Sequence, residues 1–167
     1  MARSPDTCQL PVIDGGQAIR VRPAQPGDAP DLAGIDLEVN VSPWSITQFE
    51  AVCAGVDGAR ERALVVEEAG LPVGFVVFTR VLDEACIHNI AVRLSRQRRG
   101  LGAVLLEGAM RELRREGIAR CLLELRVSNG AARALYERFA FQVDGVRKDY
   151  YPAVAGREDA LLMSTML

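Results

Sequence analysis

Apolar positions along the chain follow two periods that alternate from Ile19 onward. Ile19-Arg20-Val21-Arg22 repeats every second residue and predicts a short strand, with turn chemistry after it at Pro23, Pro26 and Gly27. Leu32, Ile35 and Val39 then recur at helical spacing behind Asp28-Ala29-Pro30, with Asp28 the expected N-cap and Pro30 in the first turn. Pro43-Trp44-Ser45 interrupts that helix, and Ser45 stands where it caps a second one carrying Phe49 and Val52. Three strands follow at residues 63–66, 73–78 and 85–92, the first two divided by Ala69-Gly70-Leu71-Pro72. A helix over 103–116 buries Leu105, Leu106, Ala109, Met110 and Leu113, wets Glu107, Arg111, Arg114 and Arg115, and stops at Gly117. A strand over 119–127, a helix over 129–139 and strands over 141–146 and 160–166 complete the chain. The order predicts an α/β domain, a mixed central sheet of about seven strands flanked by about four helices.

Composition narrows the classes. The chain has 167 residues, enough for one domain with a sizeable core. Its formal net charge of −2 argues against a general nucleic-acid binder. No apolar run approaches a bilayer span, and Met1-Ala2-Arg3-Ser4-Pro5 does not begin a signal peptide. Residues 1–17 carry Pro5, Pro11, Gly15 and Gly16 without a period, which predicts a flexible leader ahead of a domain over 18–167. Cys8, Cys53, Cys86 and Cys121 are scattered and His88 is the sole histidine, so no metal site is expected and a reduced, cytoplasmic setting is.

Three features carry chemistry. Gln97-Arg98-Arg99-Gly100-Leu101-Gly102 links the apolar strand ending Ile90-Ala91-Val92 to a helix. Glycines there let a backbone approach a ligand, and the first helical amides, which lack intrahelical partners, suit a pyrophosphate. A basic loop entering a helix is the plainer reading. Glu124 is a carboxylate between Leu123 and Leu125 in a strand expected to be largely buried, so it has either an arginine partner, Arg126 or Arg120, or a catalytic task. Tyr136 shares a helix face with Asn129, and the two read plainly as a core tyrosine and a helix cap.

Combined, these pieces resemble the GNAT family of acetyl-CoA-dependent N-acetyltransferases from Ile19 to Leu167. The family's signature Gln/Arg-x-x-Gly-x-Gly/Ala stands as Gln97-Arg98-Arg99-Gly100-Leu101-Gly102, preceded by Ile90-Ala91-Val92 and followed by Asn129 and Ala134-Leu135-Tyr136. Within the family the chain is most similar to the RimI-type branch of protein N-terminal acetyltransferases. The matching segments are Pro43-Trp44-Ser45, Ile87-His88-Asn89-Ile90-Ala91-Val92, Leu123-Glu124-Leu125-Arg126-Val127-Ser128-Asn129, Tyr150-Tyr151-Pro152 and Gly156-Arg157-Glu158-Asp159-Ala160. Two positions depart from it. Arg93-Leu94 replaces Asp-Pro, which loosens the entry to the loop, and Ala140 replaces a glycine at the end of the tyrosine helix.

The resemblance implies a GNAT fold and transfer of an acetyl group from acetyl-CoA to a protein N-terminus, the N-terminal alanine of a small-subunit ribosomal protein. Glu124 would act as general base and Tyr136 as the acid toward the departing sulfur. Ile90, Ala91, Val92, Gln97, Arg98, Arg99, Gly100, Leu101, Gly102 and Asn129 would hold the cofactor. Trp44 and Tyr151 match the branch's peptide groove, although either also fits as an aromatic covering a core edge. Glu38, Glu50, Asp149, Glu158 and Asp159 are candidates for an acidic groove around a basic tail. No metal, membrane or direct nucleic-acid partner is implied. A GNAT acting on lysine or a small amine, and a non-catalytic acyl-CoA-binding module, are the alternatives.

Overall fold

A computed structural model describes residues 12–14, 17–55 and 60–167. In chain order the elements are β1 (Val12–Asp14), β2 (Gln17–Pro23), α1 (Ala29–Val39), α2 (Ile46–Cys53), β3 (Glu61–Glu68), β4 (Leu71–Val81), β5 (Glu84–Val92), α3 (Leu101–Arg115), β6 (Arg120–Arg126), α4 (Gly130–Arg138), β7 (Gln142–Ala153) and β8 (Gly156–Met166). The described residues hold a sheet of eight strands in the order β1-β2-β3-β4-β5-β6-β8-β7. The strand beyond the expected seven is β1, paired antiparallel with the start of β2 inside the stretch read as a leader. The rest of that leader lies outside the described residues.

The chain divides into two compact units, one running to Val77 and adding Asn89–Ala109, the other formed by Phe78–His88 and Met110–Leu167. In the first, Leu32, Ile35, Phe49, Val52, Val65, Phe75, Val77 and Ala91 form one buried cluster. Phe49 meets Phe75 edge-on at 5.1 Å. Helical period on α1 and α2 and strand period on β3 to β5 bring these side chains together, as the pattern requires. Ser45 caps α2 through the amide of Gln48. Asp28 does not cap α1. Its carboxylate is drawn instead to the Arg22 guanidinium, at 2.6 and 2.9 Å, and to the Gln25 amide at 2.7 Å. A bidentate arginine fork gives the carboxylate two charge-assisted bonds where a cap gives one, so the arginine wins it.

In the second unit β6 alternates as expected: Cys121, Leu123 and Leu125 are buried, while Arg120, Leu122, Glu124 and Arg126 are half-buried. It pairs parallel with β5 over Glu84–Ile87, and that ladder ends at Ile87↔Leu123. On its other side β6 pairs antiparallel with β8 along its whole length. The last two strands are far longer than their apolar stretches suggested, because β7 is an edge strand, exposed along nearly all its length, and carries Pro152 where an edge tolerates it.

Candidate functional site

The glycine loop begins where β5 ends. Gln97 donates its side-chain amide to Val92 O at 3.1 Å, which folds the loop back on the strand. Arg98 and Gly100 take left-handed backbone, φ 65° and 79°, and Ala103 and Val104 then donate to Gly100 O at 3.0 and 3.1 Å to start α3. The amides ahead of that first bond are those a helix leaves for an anion, so the loop fits a pyrophosphate. The three arginines do not act alike. Arg96 and Arg99 both donate to Glu68, the latter at 3.0 Å, and Glu68 is buried. The Arg96 hydrogen bond, with the charges of Arg96 and Arg99, holds the Glu68 carboxyl below the usual carboxylate range. Arg98 is exposed.

Arg93-Leu94 does not leave the loop entry loose. Glu38 of α1 accepts from the Arg93 guanidinium at 2.6 Å and the Leu94 amide at 3.2 Å, doing the fastening that a proline would supply. Within the same unit, fully buried Asp36 accepts from Trp44 N at 2.7 Å, from Asn89 Nδ2 at 3.0 Å and from the Asn40 side chain. One carboxylate thus ties the Trp44 loop to the residue preceding Ile90-Ala91-Val92. Trp44 itself is half-buried against the core cluster, its ring 5.6 Å from Phe49, as an edge-covering aromatic would be. Gly74 brings β4 close to β5: an added Cβ would stand 2.8 Å from Ala91 O.

In the second unit Glu124 is less buried than its apolar neighbours suggested, its side chain 29% exposed. Its partner is neither Arg126 nor Arg120. Arg147 of β7 donates to its Oε2 at 3.4 Å and lies 3.1 Å from its Oε1 as an ion pair. Arg120 turns to Asp144 at 3.1 Å and Ser164 at 3.0 Å. Tyr136 is buried in α4, and burial, helped by Cys121 and Tyr151, pushes its phenol well above the ordinary value, so it keeps its proton at any working pH. Asn129 caps α4 by accepting from Ala132 N at 3.1 Å. The helix ends in a Schellman turn: Ala140 N donates to Glu137 O and Phe141 N to Tyr136 O, each at 3.1 Å, with Ala140 at φ 62°. Cys121 is buried, which raises its thiol to about 12 and makes it inert.

Tyr151 is half-buried beneath the Arg126 guanidinium, 4.6 Å above its ring, and meets Tyr150 edge-on at 5.0 Å. Within Gly156-Arg157-Glu158-Asp159, Arg157 and Asp159 bond the residues leading into this segment, and Glu158 bonds the end of β6. Arg157 donates to Asp149 O at 2.6 Å and Tyr150 O at 2.8 Å. Glu158 accepts from Ser128 N at 2.6 Å and from Arg126 at 3.3 Å. Asp159 accepts from Lys148 at 2.7 Å and Asp149 N at 2.9 Å. Glu38, Glu158 and Asp159 are therefore occupied by internal donors, which weakens the acidic-groove expectation. Asp36, Glu68 and Arg147 escaped the sequence reading. Asp36 had a signal, a carboxylate one turn from Leu32 on the apolar face of its helix, whereas Arg147 had none.

Along the chain, a strand, a glycine loop and a helix are followed by a strand carrying a carboxylate and a helix carrying a tyrosine, the element order of an acyltransferase. The chain belongs to the Acetyltransferase (GNAT) family, whose model matches residues 29–141. It is an acetyl-CoA-dependent N-acetyltransferase. It is 40% identical over 137 residues to the [ribosomal protein bS18]-alanine N-acetyltransferase of Escherichia coli K12, covering 82% of this chain and 90% of that protein. The enzyme of the same name from Haemophilus influenzae is 35% identical over 134 residues, 80% of this chain and 88% of its own. A crystal structure of the ribosomal-protein-S18-alanine N-acetyltransferase from Escherichia coli superposes with a TM-score of 0.81 at 36% identity, covering 89% and 93% of the two chains. Ard1 from Thermoplasma volcanium shares the fold, with a TM-score of 0.79 at 21% identity over 89% and 97%.

Among the described residues no helix is long and apolar enough to cross a membrane.

Proposed function

We propose that this enzyme acetylates the N-terminal α-amine of a protein, the substrate being the N-terminal alanine of a small-subunit ribosomal protein in the cytoplasm. The observation that carries the reading is the 40% identity, over nine-tenths of its length, to an enzyme whose name states that substrate. The Tyr150-Tyr151 segment, with Arg157 and Asp159 bonded to the residues leading into it, supports a peptide rather than a small amine.

Acetyl-CoA supplies an activated acyl group. The loop from Gln97 to Gly102 receives its pyrophosphate on backbone amides, with Arg98 the exposed cation nearby, while Ile90, Ala91 and Val92 offer a strand edge to the pantetheine and Asn129 a further contact. An α-amine, with an ordinary pKa of about 7.7–8.0, arrives largely protonated. Glu124 takes that proton, directly or through one water, and the freed lone pair forms the C–N bond. Tyr136 gives its phenolic proton to the sulfur as the C–S bond breaks, so CoA leaves as the thiol, and the second proton that the nitrogen sheds in becoming an amide restores the phenol. Trp44 and Tyr151 contact the peptide.

The test is steady-state acetylation of an alanine-starting ribosomal peptide beside a lysine and polyamine panel. Glu124→Gln and Tyr136→Phe are each expected to lower kcat about 10²–10⁴-fold while CoA still binds. Wild-type turnover in both variants removes these roles, and preference for lysine or polyamine removes the substrate.

A further inference from the structure

Glu124 has a partner that the acid–base scheme leaves without a task. Ala160 of β8 pairs with Arg126 of β6 on one side and with Arg147 of β7 on the other. The three positions form one row across the sheet, and the central side chain is only a methyl, which leaves room for Arg147 to reach over β8. It reaches Glu124, one pair further along β6 on the same face, and a single Nη1 spans both carboxylate oxygens at 3.1 and 3.4 Å. The other arginine of the row is committed elsewhere: Arg126 donates to Pro152 O at 2.8 Å and to Glu158, and lies over Tyr151.

Arg147 is fixed in turn. Between Arg147 and Tyr151 β7 carries more residues than the facing stretch of β8, since Arg147 pairs with Ala160 and Tyr151 with Glu158. The bulge swings Tyr150 back, and the Arg147 guanidinium stacks 4.6 Å from that ring. Both members of the ion pair are wet, with side-chain exposures of 48% and 29%, so the pair contributes little to stability. What it does is remove rotational freedom from a carboxylate whose terminal torsion is otherwise broad. A single hydrogen bond, to Oε2, also leaves lone pairs free for an incoming N–H.

We infer that Arg147, braced by Tyr150, is a positioning residue for the Glu124 carboxylate, holding it at the angle from which it takes the amine proton. The inference rests on Glu124 being the base. Cys86 of β5 and Tyr151 of β7 also face Glu124 electrostatically, but neither donates to it among the described contacts.

The experiment is a double-mutant cycle on the full chain, with kcat and both KM values measured for Arg147→Ala, Arg147→Lys, Glu124→Gln and the double variant. Arg147→Ala is expected to lower kcat about tenfold or more with the KM for acetyl-CoA unchanged, as displacement of a reacting group does. Arg147→Lys is expected to restore most of that loss, and the double variant to be no slower than Glu124→Gln alone. A kcat for Arg147→Ala at or above wild type overturns the inference, and so does a double variant slowed by the full Arg147→Ala factor, which would place the arginine's effect outside Glu124. Wild-type kcat in Glu124→Gln shows instead that the base was misassigned, and the inference falls with it.

Discussion

Ala140→Gly should stabilise the protein without touching its chemistry. Ala140 is exposed and sits at φ 62° at the position after the α4 C-cap, where the chain reverses to deliver Phe141 into the core. An L side chain in that region costs about 1–2 kcal/mol relative to the right-handed helix. Glycine removes that cost and returns roughly 0.5–1 kcal/mol through its greater freedom in the unfolded chain. The Ala140 methyl is exposed, so little packing is lost, and the net gain is about 0.5–1 kcal/mol, or a rise of a few degrees in Tm for a domain this size. Urea denaturation monitored by circular dichroism, with a scanning-calorimetry check, reads it; the slope m should not change. Because the two turn hydrogen bonds and the Tyr136–Phe141 ring contact at 5.6 Å are compatible with glycine, kcat should stay at the wild-type value. An unchanged or lower midpoint would refute the strained turn, and a fall in kcat would mean that the alanine matters to Tyr136.

Other outcomes follow from the same contacts. Asp36→Ala should cost about 3 kcal/mol, because it strips acceptors from Trp44 N and Asn89 in a fully buried place; chemical denaturation checks it. Gly74→Ala should cost about 2 kcal/mol and weaken CoA binding, since its Cβ would meet the Ala91 carbonyl of β5 at 2.8 Å; calorimetric titration with CoA measures the second effect. Glu68 is held below the usual carboxylate range by Arg96 and Arg99, so its pairs stabilise the fold at neutral pH and that contribution disappears as pH falls below the unfolded carboxylate's value and through the depressed one. Thermal melts of wild type and Glu68→Gln should therefore differ near neutrality and converge in acid.

The period of apolar residues was enough to order the elements because each strand and helix of the core has a face that must be covered. Leu105, Leu106, Ala109, Met110 and Leu113 are all buried, as their spacing required. Where burial is weak, the pattern is silent. β7 runs to Ala153 through exposed residues, held by Arg157 and Asp159 rather than by apolar contact. Charge pairing was equally opaque. Sequence neighbours made Arg126 and Arg120 the natural partners of Glu124, yet in a sheet the nearer cation sat two strands away. Asp28 was read as a cap and went to Arg22 instead, because the pattern of apolar residues does not weigh a cap against an ion pair. Ala140 was legible because a single backbone angle, not a tertiary contact, decides its cost.

Glu124 and Tyr136, on this reading, serve an acetyl transfer to an N-terminal alanine. Mass spectrometry of an alanine-starting ribosomal peptide bearing an internal lysine, incubated with acetyl-CoA and the wild-type chain or either variant, decides it. One acetyl group on the α-amine, none on the lysine, and loss of the product with Glu124→Gln and Tyr136→Phe is the expected result. Acetylation of the lysine in preference, or full α-amine product from both variants, would contradict it.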